Sequence, residues 1–273
     1  MKISDLKSRA IRASIANALI GFRNGSAHLS SSLSCVEALT ACLDFKRDNP
    51  GTELILSKGH AAAGLYAAMT QTGFMELNEL AIFGKEESEL GIHVSRNKSI
   101  PLATGSLGHG LSFAVGIALA NSKKNLDLRT IVIIGDGESN EGSVWEAAAV
   151  AGRLNLVNLI LLVDHNLVQA VGTYEEVSGS QNLESKFQAF GWETSRVSGH
   201  DPDAILSIIK EKSEKPMALI LDSQMNPTLG FMQESVLWHY KNPSEDDIKT
   251  MIQILNAKSL ALDILELFKC EEL

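Results

Sequence analysis

The stretch TIVIIGDGESNEGSVWEAAAVAGRLNLVNLILLVDHN, residues 130–166, decides the architecture. Residues 130–134 and 156–163 are continuous apolar runs rich in β-branched residues, the pattern of parallel strands covered on both faces. Residues 143–155 between them are alanine-rich and read as a helix. A strand, a crossover helix and a second strand bring both strand tips to one edge of a sheet. Gly135-Asp136-Gly137 leaves the first tip, and Asp164-His165-Asn166 ends the second.

Working outward, the same alternation continues. Residues 3–20 and 33–43 have helical spacing, with a small-residue loop at 24–32 between them. Glu53–Leu56 reads as a short strand delivering Ser57-Lys58-Gly59-His60 to an alanine-rich helix at 61–72. Residues 84–104 lack a period and read as a long loop over a site, followed by a glycine-containing helix at 107–121. Residues 192–197 and 217–221 are further strands, and Asp201-Pro202 reads as an N-cap with proline at the first helical position. The expected fold is a doubly wound α/β sheet, mostly parallel, with helices on both faces and ligands at the carboxyl ends of its strands. Residues 1–243 form one domain in this reading, and 244–273 a helical tail packed on it.

Composition narrows the partners. With 273 residues and 45% hydrophobic side chains the chain can bury a substantial core. A net charge of −9 argues against nucleic acid, which calls for a basic patch or stripe. No segment approaches the ~20 apolar residues of a membrane span, and the amino end lacks a signal peptide's apolar core. Cys35 and Cys42, seven apart in a helical stretch, would lie roughly 10 Å apart along its axis, too far for a disulfide. Buried thiols in a cytoplasmic protein are expected.

The two strand tips carry the chemistry. A carboxylate oxygen from Asp136, an amide oxygen from Asn166 and the backbone carbonyl of Val168 make half of an octahedral oxygen shell. Mg²⁺ completes such a shell with phosphate oxygens and water, and Ca²⁺ or Mn²⁺ could substitute. One carboxylate is too little for a dedicated cage, so a diphosphate ligand is implied. The chain has no Walker lysine motif, and Gly105-x-x-Gly108-x-Gly110 is not the dinucleotide fingerprint.

The run GDGESNEGSVWEAAAVAGRLNLVNLILLVDHN and the VQAVG soon after it resemble the thiamine diphosphate motif of the transketolase family. LSKGH at 56–60, TGSLGHGLSFAVGIALA at 104–120 and GSAHLSSSLS at 25–34 resemble that family in the same order, so the likeness covers roughly residues 5–240. The α subunits of 2-oxo acid dehydrogenases share the frame but usually end the motif with Glu-Asn-Asn and an aromatic residue. This chain has Asp164-His165-Asn166.

The resemblance implies thiamine diphosphate with Mg²⁺ as cofactors, and cofactor contacts from Gly135, Asp136, Gly137, Asn166 and Val168. It puts His60 and His239 nearest the phosphates, and His28 and His93 facing the hydroxyls of a ketose, all four as catalytic residues. Gly105, through its carbonyl, and Leu107, as a wedge, would line the cofactor's ring pocket, with His109 near that ring. Glu141 would lie at a subunit contact close to the cofactor. His165 and His200 are assigned to structure. Two departures concern the substrate side: the first loop lacks the proline and glycine common after its histidine, and the long loop reads GIHVSRN; a third concerns the loop of His239, where an upstream glycine pair survives only as Thr228-Leu229-Gly230.

In the family a glutamate that activates the pyrimidine ring comes from a second α/β domain, which these residues do not hold. The resemblance therefore implies a separate polypeptide with that domain, in an α₂β₂ assembly. Such an enzyme would pass a two-carbon ketol unit from a ketose to an aldehyde. Three other readings share the frame: an acyloin or deoxyketose synthase using a 2-oxo acid donor, a 2-oxo acid dehydrogenase α subunit, and a non-catalytic assembly subunit.

Overall fold

The computed structural model describes residues 3–25, 28–179, 182–224, 238, 241–270 and 272. The main sheet contains β1 (Glu53–Leu56), β2 (Thr130–Gly135), β3 (Leu159–His165), β6 (Glu193–Ser198) and β7 (Met217–Asp222), in the order β1-β2-β3-β7-β6. Every pairing in it is parallel. All carboxyl ends therefore share one edge, which is the expected doubly wound arrangement.

Side-chain alternation along the strands splits the core in two. Ile131 and Ile133, Ile160 and Leu162, and Leu219 and Leu221 face α1 (Asp5–Asn24), α3 (Val36–Asp48), α4 (Ala62–Thr72) and α9 (Pro202–Lys210). Val132 and Ile134, Leu161 and Val163, and Ala218 and Ile220 face α5 (His109–Lys123), α6 (Gly142–Arg153) and α8 (Leu183–Ala189). The helices end where their sequences say they should. Ser4 accepts from the Lys7 amide at the start of α1, Gly25 closes it at φ 71°, and Asp201 caps α9 with Pro202 at its first turn.

The structure departs from the periodicity in places with a local cause. Within the expected loop at 24–32, Leu29–Leu33 forms a short helix, α2, because Leu29 and Leu33 are buried and the Ser30 hydroxyl donates to the Trp238 carbonyl at 2.6 Å. β3 begins at Leu159 rather than 156, since residues 154–158 form the turn that closes α6; it runs on to His165, paired with Asp222. Three small elements lie beyond the reach of periodicity: the hairpin β4 (Val168–Gln169) and β5 (Gly172–Thr173), α7 (Tyr174–Ser178), and α8.

Residues 84–104 form the expected long loop, without helix or strand, and a 3-10 turn, Leu77–Ile82, precedes it after α4. The tail folds as α10 (Glu245–Ile254) and α11 (Leu262–Leu267), whose Ile248, Met251, Ile264 and Leu265 join the core beside α1. Arg12 of α1 pairs with Asp263 at 2.7 Å. Cys35, Cys42 and Cys270 are free and buried. Among the described residues no helix is long and apolar enough to cross a membrane.

Gly152, on the last turn of α6, packs so closely on the Phe190 carbonyl that an added Cβ would overlap it. Backbone cannot yield as a side-chain tip can. Gly152→Ala should lower stability by about 1–3 kcal/mol, read as a drop in the urea midpoint at unchanged slope.

Candidate active site

The edge formed by the carboxyl ends of β1, β2 and β3 carries the site. Gly135 pairs with Asp164 across β2 and β3, and the Asp136 amide donates to the Asp164 carbonyl at 3.0 Å. The Asp136 carboxylate is 2% exposed. One oxygen accepts from the Gly137 amide at 2.7 Å and the other from the Leu167 amide at 2.9 Å. Leu167 takes the left-handed conformation, φ 66°, as the chain turns after Asn166. The Asn166 oxygen accepts from the Val168 amide at 3.0 Å, and its nitrogen donates to Asp164 at 3.3 Å and to the Ser34 hydroxyl at 3.4 Å.

Burial and then the neighbouring Asp164 charge push the Asp136 carboxyl up to about 7, against the pull of its two amide donors. A carboxylate so short of positive charge fits a cation, and the oxygen donors of Asp136 and Asn166 suit a hard one. Among the described residues, no three of His, Cys, Asp and Glu gather into a metal-binding group. These donors thus fit a cation whose shell a phosphate ligand completes.

Three buried charges at this edge escaped the sequence reading. The Lys58 ammonium, just past β1, pairs with the Asp164 carboxylate, the two side chains 2% and 0% exposed. Ser34 donates to the same Asp164 oxygen at 2.6 Å. Burial alone would lower Lys58, but the facing carboxylate leaves it above its ordinary value. Burial would likewise raise Asp164, and Lys58 with its hydrogen-bond donors holds it below. Glu138, also 2% exposed, takes a hydrogen bond from Ser57 and from the amides of Gly108 at 2.8 Å and Gly135 at 3.2 Å. It joins the tips of β1 and β2 to the start of α5. All three stand inside recognisable motifs, but charged residues are rarely fully buried, so only the tertiary fold exposes their role.

Three of the four singled-out histidines converge. The His28 ring lies 5.8 Å from His60, edge-on, and 6.3 Å from His93. His60 follows β1 in the turn Gly59–Ala61, and His93 sits on the long loop. That loop is pinned by the Thr104 hydroxyl on the Leu56 carbonyl at 2.7 Å and by the Ser95 amide on the Tyr66 hydroxyl at 2.8 Å. Gly59 lets the Thr104 carbonyl approach: a Cβ there would stand 2.6 Å from its oxygen. A Cβ on Gly105 would stand 3.5 Å from the His93 ring, so that ring borders the Gly105 backbone. His239 lies outside the described residues.

Leu107 is half-buried, and His109 is exposed at the first position of α5. Glu141 is exposed and leans on Gly108, where a Cβ would meet its own at 2.7 Å. His165 packs edge-on against Tyr174 with ring centroids 5.0 Å apart. His200 accepts from the Gln224 amide at 2.8 Å and lies 3.3 Å from Glu37. Both are packing partners, in keeping with their assignment to structure.

Residues 45–255 match the family profile described as transketolase, thiamine diphosphate binding domain. The chain belongs to the transketolase family. It is 34% identical over 241 residues to a 6-deoxy-6-sulfo-D-fructose transketolase subunit, SqwG, of Clostridium sp. (strain MSTE9), covering 84% of this chain and 88% of that one. It is 32% identical over 265 residues to an apulose-4-phosphate transketolase subunit of Actinobacillus succinogenes, covering 91% and 94%. The crystal structure of transketolase from Campylobacter jejuni shares the fold, with a TM-score of 0.84 at 24% identity, over 100% of this chain and 47% of that one. The chain thus spans most of the subunit-named relatives and under half of that transketolase. The family-level expectations hold: a transketolase-type transferase subunit built on thiamine diphosphate and a doubly wound α/β sheet.

The Asp136 carboxyl gives a pH signature. Its folded value, about 7, lies above the ordinary 3.8, so the native state keeps a proton that the unfolded chain has released. The stability it contributes is complete below pH 3.8 and is lost as pH rises through about 7. Without added cation, the wild type should lose thermal stability between about pH 5 and pH 8 relative to Asp136→Asn, whose side chain does not titrate. Parallel Tm–pH curves would exclude burial of this carboxyl as a source of pH dependence.

Proposed function

We propose that the chain is the diphosphate-binding subunit of a two-polypeptide transketolase, moving a two-carbon ketol unit from a ketose to an aldehyde acceptor. The observation that carries this reading is the convergence at one sheet edge of the Asp136–Asn166 oxygen pair and the His28–His60–His93 cluster. The five residues of α2 separate His28 from Ser34, and Ser34 is bonded to Asp164, so the two sets are a short helix apart. Phosphate-and-cation chemistry beside polyhydroxyl chemistry would use both.

In this reading Asp136, Asn166 and the Val168 carbonyl hold Mg²⁺, or Ca²⁺ or Mn²⁺ in its place, against the diphosphate, with Gly135 and Gly137 admitting it closely. His60 and His239 donate to phosphate oxygens. His28 and His93 address substrate hydroxyls and relay protons. Gly105 and Leu107 line the ring pocket. When bound, thiamine diphosphate supplies the electron sink for breaking the ketose C2–C3 bond. A ketose with an anionic terminus is the donor class, supported by relatives named for a sulfosugar and a sugar phosphate.

A second polypeptide supplies the pyrimidine-binding domain, as the subunit naming of those relatives supports, and the two chains form an α₂β₂ assembly in this reading. Phe113 on α5, with Val150 on α6 and Leu154 just past its end, leaves exposed apolar surface on the layer that carries Glu141, suited to a subunit contact. The buried free thiols support a cytoplasmic, reducing setting.

Two measurements test this on the chain purified with its partner. Asp136→Ala should abolish binding of Mg²⁺–thiamine diphosphate by calorimetry, and unchanged affinity would sink the cation assignment. A donor panel should show ketol transfer from an anionic ketose without gas release. CO₂ evolved from a 2-oxo acid, with no ketose turnover, would replace transketolase by a synthase.

A further inference from the structure

Asn166 can serve a cation only through its carboxamide oxygen, so something must settle which way that amide points. Contacts at both of its ends do so. The Val168 amide, a donor, lies 3.0 Å from Oδ1, so that atom is the oxygen. At the other end Nδ2 lies 3.3 Å from Asp164 Oδ2, and a carboxylate only accepts. The Asp164 carboxylate is fixed in turn from two other elements, by Ser34 at the end of α2 and by Lys58 past β1. Its own backbone carbonyl accepts from the Asp136 amide. One residue therefore touches both of the proposed cation ligands' segments.

Stability alone does not account for this pair, because a buried ion pair is often no more stabilising than apolar residues of similar volume. We infer that the Asp164 carboxylate, anchored by Lys58 and Ser34, is a positioning residue that orients the Asn166 carboxamide for cation binding. The inference rests on Asp136 and Asn166 being the cation's ligands. Asp164 acts through Asn166 and does not touch the ion. An asparagine in its place could present either its oxygen or its nitrogen, and the orientation would then rest on the Val168 amide alone.

The test uses Mn²⁺ as the probe, read by electron paramagnetic resonance at saturating thiamine diphosphate, on the full chain in its assembled complex. Asp164→Asn should weaken Mn²⁺ binding about 10–100-fold. In an Asn166→Ala background the same substitution should change little, since no amide remains to be oriented. A loss of equal factor in both backgrounds, or none in the first, overturns the inference. Should Asp164→Asn fail to fold by circular dichroism, the paired Lys58→Met/Asp164→Leu variant removes both charges, keeps apolar bulk and carries the same two-background comparison. Asp136→Ala reports separately: wild-type Mn²⁺ affinity there would overturn the ligand reading, and the positioning inference with it.

Discussion

A lysine ammonium and an aspartate carboxylate, both withdrawn from water, face each other across the tip of a strand that belongs to neither. Lys58 follows β1, Asp164 ends β3, and the strand order places β2 with Asp136 between them. Two charges in such a position are tolerable only when paired and hydrogen-bonded, so the surrounding chain is arranged to supply donors. Ser34 and Asn166 supply them on one side. Glu138 poses the same problem on the other side of β2, and Ser57, Gly108 and Gly135 answer it. These hydrogen bonds tie the tips of β1, β2 and β3 together around Asp136, whose own amide donates to the Asp164 carbonyl.

The sheet was legible in the sequence because its central strands are buried on both faces. The runs around Val132 and Leu161 carry no polar residue to interrupt them, and the crossover helix between them fits only a parallel pair. The short elements were not legible: a two-residue strand such as β4 has no period, and α2 is helical because of Trp238 and the core beneath it. The site divides in the same way. Asp136 and Asn166 follow from strand tips at a βαβ spacing, whereas the histidine cluster depends on a long loop returning past Gly59. Lys58, Glu138 and Asp164 are ordinary charges in a one-dimensional string, and only burial distinguishes them.

His28 joins the two halves of the edge. It adopts φ 39° and ψ 55°, a left-handed conformation that costs a non-glycine residue about 1–2 kcal/mol. The surroundings hold it there: Leu29 and Leu33 are in the core, and the Ser32 amide donates to the His28 carbonyl at 3.1 Å. A proline at Ser32 could not make that bond. Ser30, Ser31 and Ser32 are all buried within the short helix that links His28 to Ser34. A shift of that helix would move the His28 ring and the Asp164 donor together.

Burial is unevenly distributed over the site, and the unevenness bears on how it works. Lys58, Asp136, Glu138 and Asp164 are all at or below 2% exposure, whereas His93, Gly105, His109 and Glu141 are open to solvent. The buried half, with three acids against the one lysine, has the character needed to hold a cation, and through it a diphosphate. In the proposed function the open half is the end where carbon–carbon bonds would break, and a carbanion-like centre there would be quenched by water unless covered. A surface that closes over His93 and Gly105 would complete the exclusion of water and leave the buried half undisturbed. The division of labour between two polypeptides would then follow the division between the desolvated and solvated parts of a single edge.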